Sequence, residues 1–312
     1  MNYQYKDATV LITGVTGFVG YHIAHSLGRL GSEIYGLSRT TCLELKEGKS
    51  FTGDITDREY VREIVDTIRP NYVFHLAASK IRHASSEDFR QSFDDNLVGT
   101  LNLAEACVSL PHLVRFVFLG TCEEYGIAEA PYSETTQEMP VSAYSCSKLA
   151  ATHQLLNFNR YYNFPAVILR PSIAYGPKQG DEMFIPALIM SLLAKKPFEM
   201  SPGKQTRDFV YIDDLIEAIL SAALIPKAVG QIINISSNKA VKIIELAEAL
   251  ASLVGCNAYK FLGVGKLGYR HTEIMNYWAE NRKADQILDW HPKVPLKKGL
   301  VETVNYYRNL RN

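Results

Sequence analysis

Short runs of apolar residues alternate with longer amphipathic segments along the first half of this chain. Such runs are typical of strands buried on both faces of a sheet, and the segments between them have the length of helices. The alternation predicts βαβ units and an α/β fold with a doubly wound parallel sheet. The predicted strands are residues 8–13, 33–37, 72–76, 114–119 and 166–169, and the predicted helices are residues 14–30, 55–68, 94–109 and 142–162.

The pattern loosens after residue 170. Prolines and glycines predict an irregular segment there, at Pro171, Gly176, Pro177, Gly180 and Pro186. Beyond it the predicted elements are a strand–helix unit over 208–223, a strand over 232–235 and helices over 243–254, 282–288 and 296–308.

Two interleaved lobes follow from this order of elements. We expect residues 1–170 and about 208–235 to form the larger, sheet-containing lobe. The smaller lobe would comprise about 171–207 and 236–312. The cleft between the lobes should lie at the carboxyl ends of the strands.

Composition narrows the class of protein. Hydrophobic residues make up 47% of the 312 positions, which is enough for a sizeable core. The 33 basic and 33 acidic residues cancel, so a general nucleic-acid binder is not expected. The five cysteines include no C-x-x-C, which argues against a disulfide framework and a zinc site and favours the cytoplasm. We expect no signal peptide and no membrane span, because no uncharged apolar run approaches about 18 residues.

A glycine-rich turn follows the first predicted strand. Residues 13–20 read Thr-Gly-Val-Thr-Gly-Phe-Val-Gly and open the first helix. Glycines let the backbone approach a pyrophosphate, and a helix N-terminus offers free amides and a positive dipole end to that anion. The turn therefore predicts a dinucleotide site, with contacts from Gly14, Thr16, Gly17, Phe18 and Val19.

The end of the second strand bears on which dinucleotide binds. An NAD site usually has an acidic residue there for the ribose 2′-hydroxyl, whereas this chain has Ser38 and Arg39. An arginine can hold a 2′-phosphate with paired charge-assisted bonds, so the sequence favours NADP, with NAD possible. The alternative is a solvated surface arginine that stacks on the adenine.

Other strand ends complete the expected cofactor site. Asp54 and Ile55 follow a further strand, expected between the strands 33–37 and 72–76, and could cap the adenine; Asp54 is also expected to cap the next helix. The small residues at the end of the strand 72–76 leave room for the cofactor, at Leu76, Ala77 and Ala78.

A candidate proton-transfer pair lies in the predicted helix 142–162. Tyr144 and Lys148 are four residues apart, which puts both side chains on one helix face. A lysine there stabilises phenolate and lowers the pKa of the tyrosine, so the phenol can exchange a proton near neutral pH. Thr121, after the strand 114–119, would supply a hydroxyl to the same reacting group.

These elements together resemble the extended short-chain dehydrogenase/reductase superfamily, in its nucleotide-sugar epimerase, dehydratase and reductase branch. The resemblance covers nearly the whole chain and implies a Rossmann domain for NAD(P) and a C-terminal lobe for a nucleoside-diphosphate sugar. It also implies a homodimer formed through helices 94–109 and 142–162. The motifs that carry it are residues 13–20, 75–78, 96–100, 121–126, 144–148, 170–177 and 203–214.

The resemblance also implies roles for individual residues. Tyr144 would be the acid/base on a sugar hydroxyl, Thr121 would bond the same oxygen, and Lys148 would hold the nicotinamide ribose. Pro171 and Ile173 would line the cofactor. The implied substrate contacts are Lys80, Arg207 and Arg270, with the two arginines on the diphosphate, and Ser172, which departs from the usual asparagine.

The segment after Thr121 bears on the reaction. In related 4,6-dehydratases an acid and then a glutamate follow the threonine, whereas this chain has Cys122 and Glu123. A thiol is a weak acid, but Glu123 could be a base, and Thr-Cys-Glu also resembles a 5,6-dehydratase. For one of the two residues Glu123 and Glu124, we expect hydrogen bonding to the loop backbone at the rim of the cleft.

The whole string Gly-Thr-Cys-Glu-Glu-Tyr-Gly, residues 120–126, is similar to that of 4-keto-6-deoxysugar reductases. The expectation is therefore an NAD(P)H-dependent enzyme that reduces an NDP-4-keto-6-deoxyhexose at C4. A dehydratase (4,6- or 5,6-) or an epimerase that recycles its cofactor remains an alternative, as does a non-catalytic NADP-binding protein.

Overall fold

The computed structural model describes residues 5–41, 48–80, 85–255 and 257–311. Seven parallel strands form its central sheet, in the order β11-β6-β5-β4-β1-β2-β3. This confirms the predicted doubly wound α/β fold. The strands are β1 (Thr9–Thr13), β2 (Glu33–Ser38), β3 (Gly48–Thr52), β4 (Tyr72–His75), β5 (Arg115–Leu119), β6 (Ala166–Pro171), β7 (Ile173–Tyr175), β8 (Phe198–Met200), β9 (Thr206–Arg207), β10 (Phe209–Tyr211), β11 (Ile232–Ile235), β12 (Val241–Lys242), β13 (Leu262–Val264) and β14 (Asn276–Tyr277).

Helices cover both faces of the sheet. The α-helices of the described residues are α1 (Phe18–Arg29), α2 (Arg58–Ile68), α3 (Ser86–Phe93), α4 (Gly99–Cys107), α5 (Ala143–Tyr162), α6 (Phe184–Leu193), α7 (Ile212–Leu224), α8 (Ile243–Val254), α9 (Arg282–Leu288) and α10 (Leu296–Asn309). None of the helices in these ranges is long and apolar enough to cross a membrane.

Alternation along the strands builds two cores. In β1, Ile12 belongs to the core that includes α1 and α7, whereas Leu11 belongs to the core that includes α2, α4 and α5. Successive side chains of a strand point to opposite faces, so a continuous apolar run such as β1 is required when both faces are covered.

The predicted helix start at Asp54 is wrong. The helix begins at Arg58, and its N-cap is Asp57, whose carboxylate accepts from the Tyr60 amide at 3.1 Å. Asp54 instead accepts from the Thr56 amide and hydroxyl, both at 2.9 Å. Both aspartates suit a cap, and only the course of the backbone decides between them.

The predicted helix 94–109 is part of a longer helical segment. It starts with α3, where the Ser85 hydroxyl accepts from the Asp88 amide and the Asp88 carboxylate accepts from the Ser85 amide. A π-helical turn, Asp94–Val98, then joins α3 to α4. The capping box was the sequence signal for this earlier start.

Part of the segment predicted to be irregular is helical. Pro186 is the third residue of α6, where a proline is tolerated because the first helical amides have no partner within the helix. Residues after position 171 also form three small sheets outside the central one, β7–β10, β12-β9-β14 and β8–β13. The proposed boundaries of the two lobes stay a prediction.

Candidate active site

The carboxyl ends of the central strands bring the predicted site residues to one edge of the sheet. Gly14 follows β1, Ala77 follows β4 and Thr121 follows β5. Because β5, β4 and β1 are neighbours in a parallel sheet, these segments lie side by side. The predicted cofactor and catalytic segments therefore share one cleft edge.

The glycine turn after β1 has the geometry of a phosphate cradle. Gly14 has φ +71°, and a Cβ there would lie 2.7 Å from the Ala77 amide nitrogen. A Cβ at Gly20 would lie 2.2 Å from the Gly14 carbonyl oxygen. Only glycine permits both the left-handed backbone and these close approaches. Gly17 then caps α1 as a backbone N-cap, so the turn and the helix N-terminus fit a pyrophosphate.

Residues after β2 and β3 make local contacts. The Ser38 hydroxyl donates to the Thr40 carbonyl at 2.7 Å, and the Asp54 carboxylate is bonded to Thr56. Arg39 is exposed, and its guanidinium lies 3.7 Å from the Asp95 carboxylate. Ile55 packs against the first residue of α4, Gly99, where an added Cβ would lie 2.5 Å from the Ile55 side chain. Arg39 is thus close to an acidic side chain that the sequence had not associated with the cofactor site.

A buried histidine links the ends of β1 and β4 to the helical segment 86–107. Thr100 donates to the Asn96 carbonyl at 2.5 Å, so its oxygen accepts from His75 Nε2 at 2.8 Å. His75 Nδ1 therefore accepts from the Thr13 hydroxyl at 2.7 Å, and that oxygen accepts from the Ala77 amide at 3.3 Å. Burial, with the Lys148 cation nearby, lowers the pKa of His75 well below its usual range. The ring is neutral and its tautomer is set.

Asn96 extends this network to the helix that carries the proton-transfer pair. Its amide nitrogen donates to the Ser79 carbonyl at 3.0 Å and to the Ser147 hydroxyl at 2.9 Å. Ser147 in turn donates to the Tyr144 carbonyl at 2.9 Å. The sequence motif contained Asn96, but its contacts depend on the π-helical turn.

Tyr144 and Lys148 lie in the first two turns of α5, and both side chains are buried. Lys148 Nζ lies 3.8 Å from the centre of the Phe118 ring. Burial lowers the pKa of Lys148 to about 7, opposed by the Glu124 carboxylate and reinforced by the Lys80 cation. The lysine can therefore change its charge near neutral pH, beside the predicted acid/base.

We expect Lys148→Met to stabilise the protein while reducing its activity. The pKa of Lys148 is about 7 in the folded protein and about 10.4 in the unfolded chain. Between these two pH values the unfolded state binds more protons, so the free energy of unfolding of the wild type rises with pH there. The variant should gain ~1–4 kcal/mol of unfolding free energy below neutral pH, and the gain should shrink as the pH rises. Denaturant unfolding at several pH values measures it. The control is Lys239→Met, at an exposed lysine. An equal gain in Lys239→Met, or a gain in Lys148→Met that does not change with pH, would contradict the explanation.

Thr121 caps the short 3₁₀ turn Cys122–Tyr125 that follows β5. Its hydroxyl oxygen accepts from the Glu123 amide at 3.1 Å, and its own amide donates to the Glu124 carboxylate at 3.0 Å. Its hydroxyl proton is the only donor of the side chain, and it lies within hydrogen-bond reach of the Tyr277 phenol oxygen. The side chain of Glu123 is half-buried at this turn.

A catalytic role for Cys122 does not fit its position. The thiol is fully buried, packs with Tyr125 and Tyr132, and donates to the Arg170 carbonyl at 3.2 Å. Burial raises the pKa of Cys122 well above its usual range, reinforced by the Asp208 carboxylate. The sequence placed this residue beside the threonine that is predicted to be catalytic, but the turn directs its side chain into the core.

Glu124 is the structural member of the glutamate pair. It is fully buried, and its carboxylate accepts from Arg170 Nε at 2.8 Å and from the Thr152 hydroxyl at 3.0 Å. Arg170 is equally buried and also bonds Glu138 at 3.0 Å. This ion pair joins the turn after β5 to β6 and α5. Glu124 does accept from a loop amide, that of Thr121, but its buried ion pair with Arg170 was not expected from the sequence.

The predicted substrate contacts lie in different settings. The Arg207 guanidinium is paired with Glu273 and donates to the Ile274 carbonyl at 2.7 Å. Arg270 and Lys80 are exposed, whereas Ser172 is buried with its amide bonded to the Ile235 carbonyl at 2.9 Å. Pro171 is buried at the end of β6, and Ile173 is half-buried in β7.

Tyr277 is a site residue that the sequence did not indicate. It belongs to β14, which pairs with Arg207 of β9. Burial raises the pKa of Tyr277 well above its usual range, with Cys122 and Glu123 adding to the rise and a hydrogen bond from Thr121 opposing it. The smaller sheets therefore bring the phenol of Tyr277 to the turn that Thr121 caps. No local motif marks this residue.

The profile of the "NAD dependent epimerase/dehydratase family" matches residues 10–236 of this chain. The chain belongs to this family. It is 31% identical to human dTDP-D-glucose 4,6-dehydratase over 96% of this chain and 89% of the relative. It is 29% identical to UDP-glucuronate 4-epimerase of Thermodesulfobacterium geofontis over 95% of each. This family assignment confirms the resemblance seen in the motifs.

A solved structure agrees with the fold. UDP-glucuronic acid 4-epimerase from Bacillus cereus, in complex with UDP-glucuronic acid and NAD, has a TM-score of 0.87 at 29% identity. The match covers 96% of this chain and 99% of that chain. Among these family members, C4 epimerisation and 4,6-dehydration are therefore both represented.

Proposed function

We propose that this protein oxidises or reduces C4 of a nucleoside-diphosphate sugar with a bound nicotinamide cofactor. The observation that carries the proposal is the buried Tyr144–Lys148 pair on α5, beside the turn after β5 that Thr121 caps. The glycine turn with Gly14 at φ +71° lies at the same sheet edge and fits the cofactor's pyrophosphate. When bound, the nicotinamide would accept or supply the hydride.

The side chains would manage the proton that accompanies the hydride. Tyr144 would exchange a proton with the sugar O4 as it becomes or ceases to be a ketone oxygen. The Thr121 hydroxyl would donate to the same oxygen. Lys148 would hold the nicotinamide ribose and, when charged, favour the phenolate of Tyr144. The hydrogen bonds of the neutral His75 and of Asn96 would hold α5 in a fixed position relative to the glycine turn.

For the net reaction we propose reduction of an NDP-4-keto-6-deoxyhexose at C4. Two observations support this proposal. The sequence of residues 120–126 is similar to that of such reductases, and Cys122, at the position where a 4,6-dehydratase has its acid, has its side chain in the core. The structural role of Glu124 weakens part of this support, since that glutamate belongs to the turn and not to the chemistry. A 4-epimerase with recycled cofactor is the second candidate, favoured by the epimerases among the relatives.

The cofactor and substrate assignments are proposals of the same kind. Arg39 supports NADP, whereas the solved relative binds NAD. Arg207 and Arg270 would bind the diphosphate, which requires a phosphate oxygen to share or replace the Glu273 contact of Arg207. A homodimer through the helices predicted at 94–109 and 142–162 and a cytoplasmic location also stay predictions.

Cofactor stoichiometry separates the candidates. We expect the protein to consume one NADPH or NADH for each NDP-4-keto-6-deoxyhexose, monitored by nicotinamide absorbance and by NMR of the sugar product. A 4-epimerase would instead interconvert UDP-glucuronic acid, or UDP-glucose, with its own C4 epimer, with no net change in the nicotinamide. That result without ketoreduction would reject the reductase. Cofactor binding with no turnover of either class would leave the non-catalytic protein.

A further inference from the structure

An acidic side chain from the helical segment 86–107 lies next to the arginine that would select the cofactor. Asp95 belongs to the π-helical turn, and its side chain is only 10% exposed. Its carboxylate lies 3.7 Å from the Arg39 guanidinium, whose side chain is 62% exposed. The other carboxylate oxygen accepts from Gln91 Nε2 at 2.9 Å. The carboxylate is thus held in place, whereas the arginine is largely exposed to solvent.

The two charges act in opposite directions on a 2′-phosphate. A phosphate that Arg39 could grip at the end of β2 must also come close to Asp95, because the two side chains are in contact. At such distances a phosphate carrying nearly two negative charges is repelled by a carboxylate, and partial burial of Asp95 limits screening. A ribose hydroxyl carries no charge and can donate to a carboxylate. The pair therefore favours the unphosphorylated ribose more than Arg39 alone would.

We propose that Asp95 is a specificity-determining residue that sets, together with Arg39, the choice between NAD and NADP. This inference rests on the proposed cofactor site. It assigns to the helical segment the acidic function that dinucleotide sites usually place at the end of the second strand, where this chain has Ser38 and Arg39. A purely structural ion pair would instead influence stability and leave the cofactor preference unchanged.

The test measures binding and needs no turnover. ADP-ribose and 2′-phospho-ADP-ribose are titrated calorimetrically into the wild-type protein, Asp95→Asn and Arg39→Ala. We expect Asp95→Asn to raise the affinity for the phosphorylated ligand, relative to the other, by about tenfold at low salt and by less at high salt. Arg39→Ala should shift the ratio in the opposite direction. The matched control is Asp94→Asn, an exposed aspartate one residue earlier in the same turn, which should leave the ratio unchanged.

The outcomes distinguish this inference from the proposed function. If both ligands bind but Asp95→Asn leaves their ratio unchanged, or Asp94→Asn shifts it equally, the role of Asp95 is rejected and the cofactor site stands. If neither ligand binds the folded wild-type protein, the cofactor site fails and the inference fails with it. Thermal unfolding of each variant checks that the ratio is measured on folded protein.

Discussion

Tyr144→Phe should lower kcat by about 10²–10⁴-fold, the usual contribution of a positioned acid/base. The substitution removes the phenol and keeps the ring, so the packing of α5 should persist. Binding of NAD or NADP should stay close to that of the wild type, because the glycine turn and Lys148 are intact. Steady-state turnover of the sugar and calorimetric titration of the cofactor measure the two effects separately.

An exposed tyrosine on the same helix provides the control for this experiment. Tyr162 lies at the C-terminal end of α5 and is 62% exposed. Tyr162→Phe removes the same kind of hydroxyl at the opposite end of α5 from Tyr144 and should leave kcat unchanged. Activity of Tyr144→Phe within about threefold of the wild type would reject the proton-transfer role.

Glu124→Gln should destabilise the protein by about 3–5 kcal/mol, the usual cost of removing one partner of a buried ion pair. Arg170 is fully buried, and the substitution leaves its charge with Glu138 as the remaining acidic partner. Denaturant unfolding gives the free energy. Activity should fall only as far as the turn after β5 loses its shape.

Two further variants make the result interpretable. Glu123→Gln, at the half-buried neighbour, should cost less than about 1 kcal/mol of stability. Combining Glu124→Leu with Arg170→Met removes both charges and should recover much of the lost stability, even if the single variant does not fold. An equal loss in Glu123→Gln, or no recovery in the double variant, would contradict the ion-pair explanation.

Strands that are buried on both faces were predictable because their signal is local. The apolar run of β1 and the glycines after it require a covered strand and a tight turn whatever the rest of the chain does. Helix starts were less certain where two caps compete, as Asp54 and Asp57 do. The helix around Pro186 was missed because its proline outweighed the buried positions Ile185 and Leu188, which have helical spacing.

In the candidate site, too, contacts within one element were predictable and contacts between distant segments were not. Spacing alone placed Tyr144 and Lys148 on one face of a helix, since i and i+4 positions always coincide. No spacing rule connects Asp95 to Arg39, Tyr277 to Thr121, or Arg170 to Glu124, because each pair joins segments far apart in the chain.

The sequence by itself determined the parallel α/β fold, the glycine turn and the tyrosine–lysine pair, because each depends on residues within one or two turns of one another. Only the tertiary structure decided which way the side chains after Thr121 face, with Cys122 and Glu124 in the core and Glu123 half-buried at the turn. It also decided that Arg39 has an acidic neighbour. These features depend on how strands, helices and the smaller sheets pack, and packing brings together charges and hydroxyls that the order of residues keeps apart.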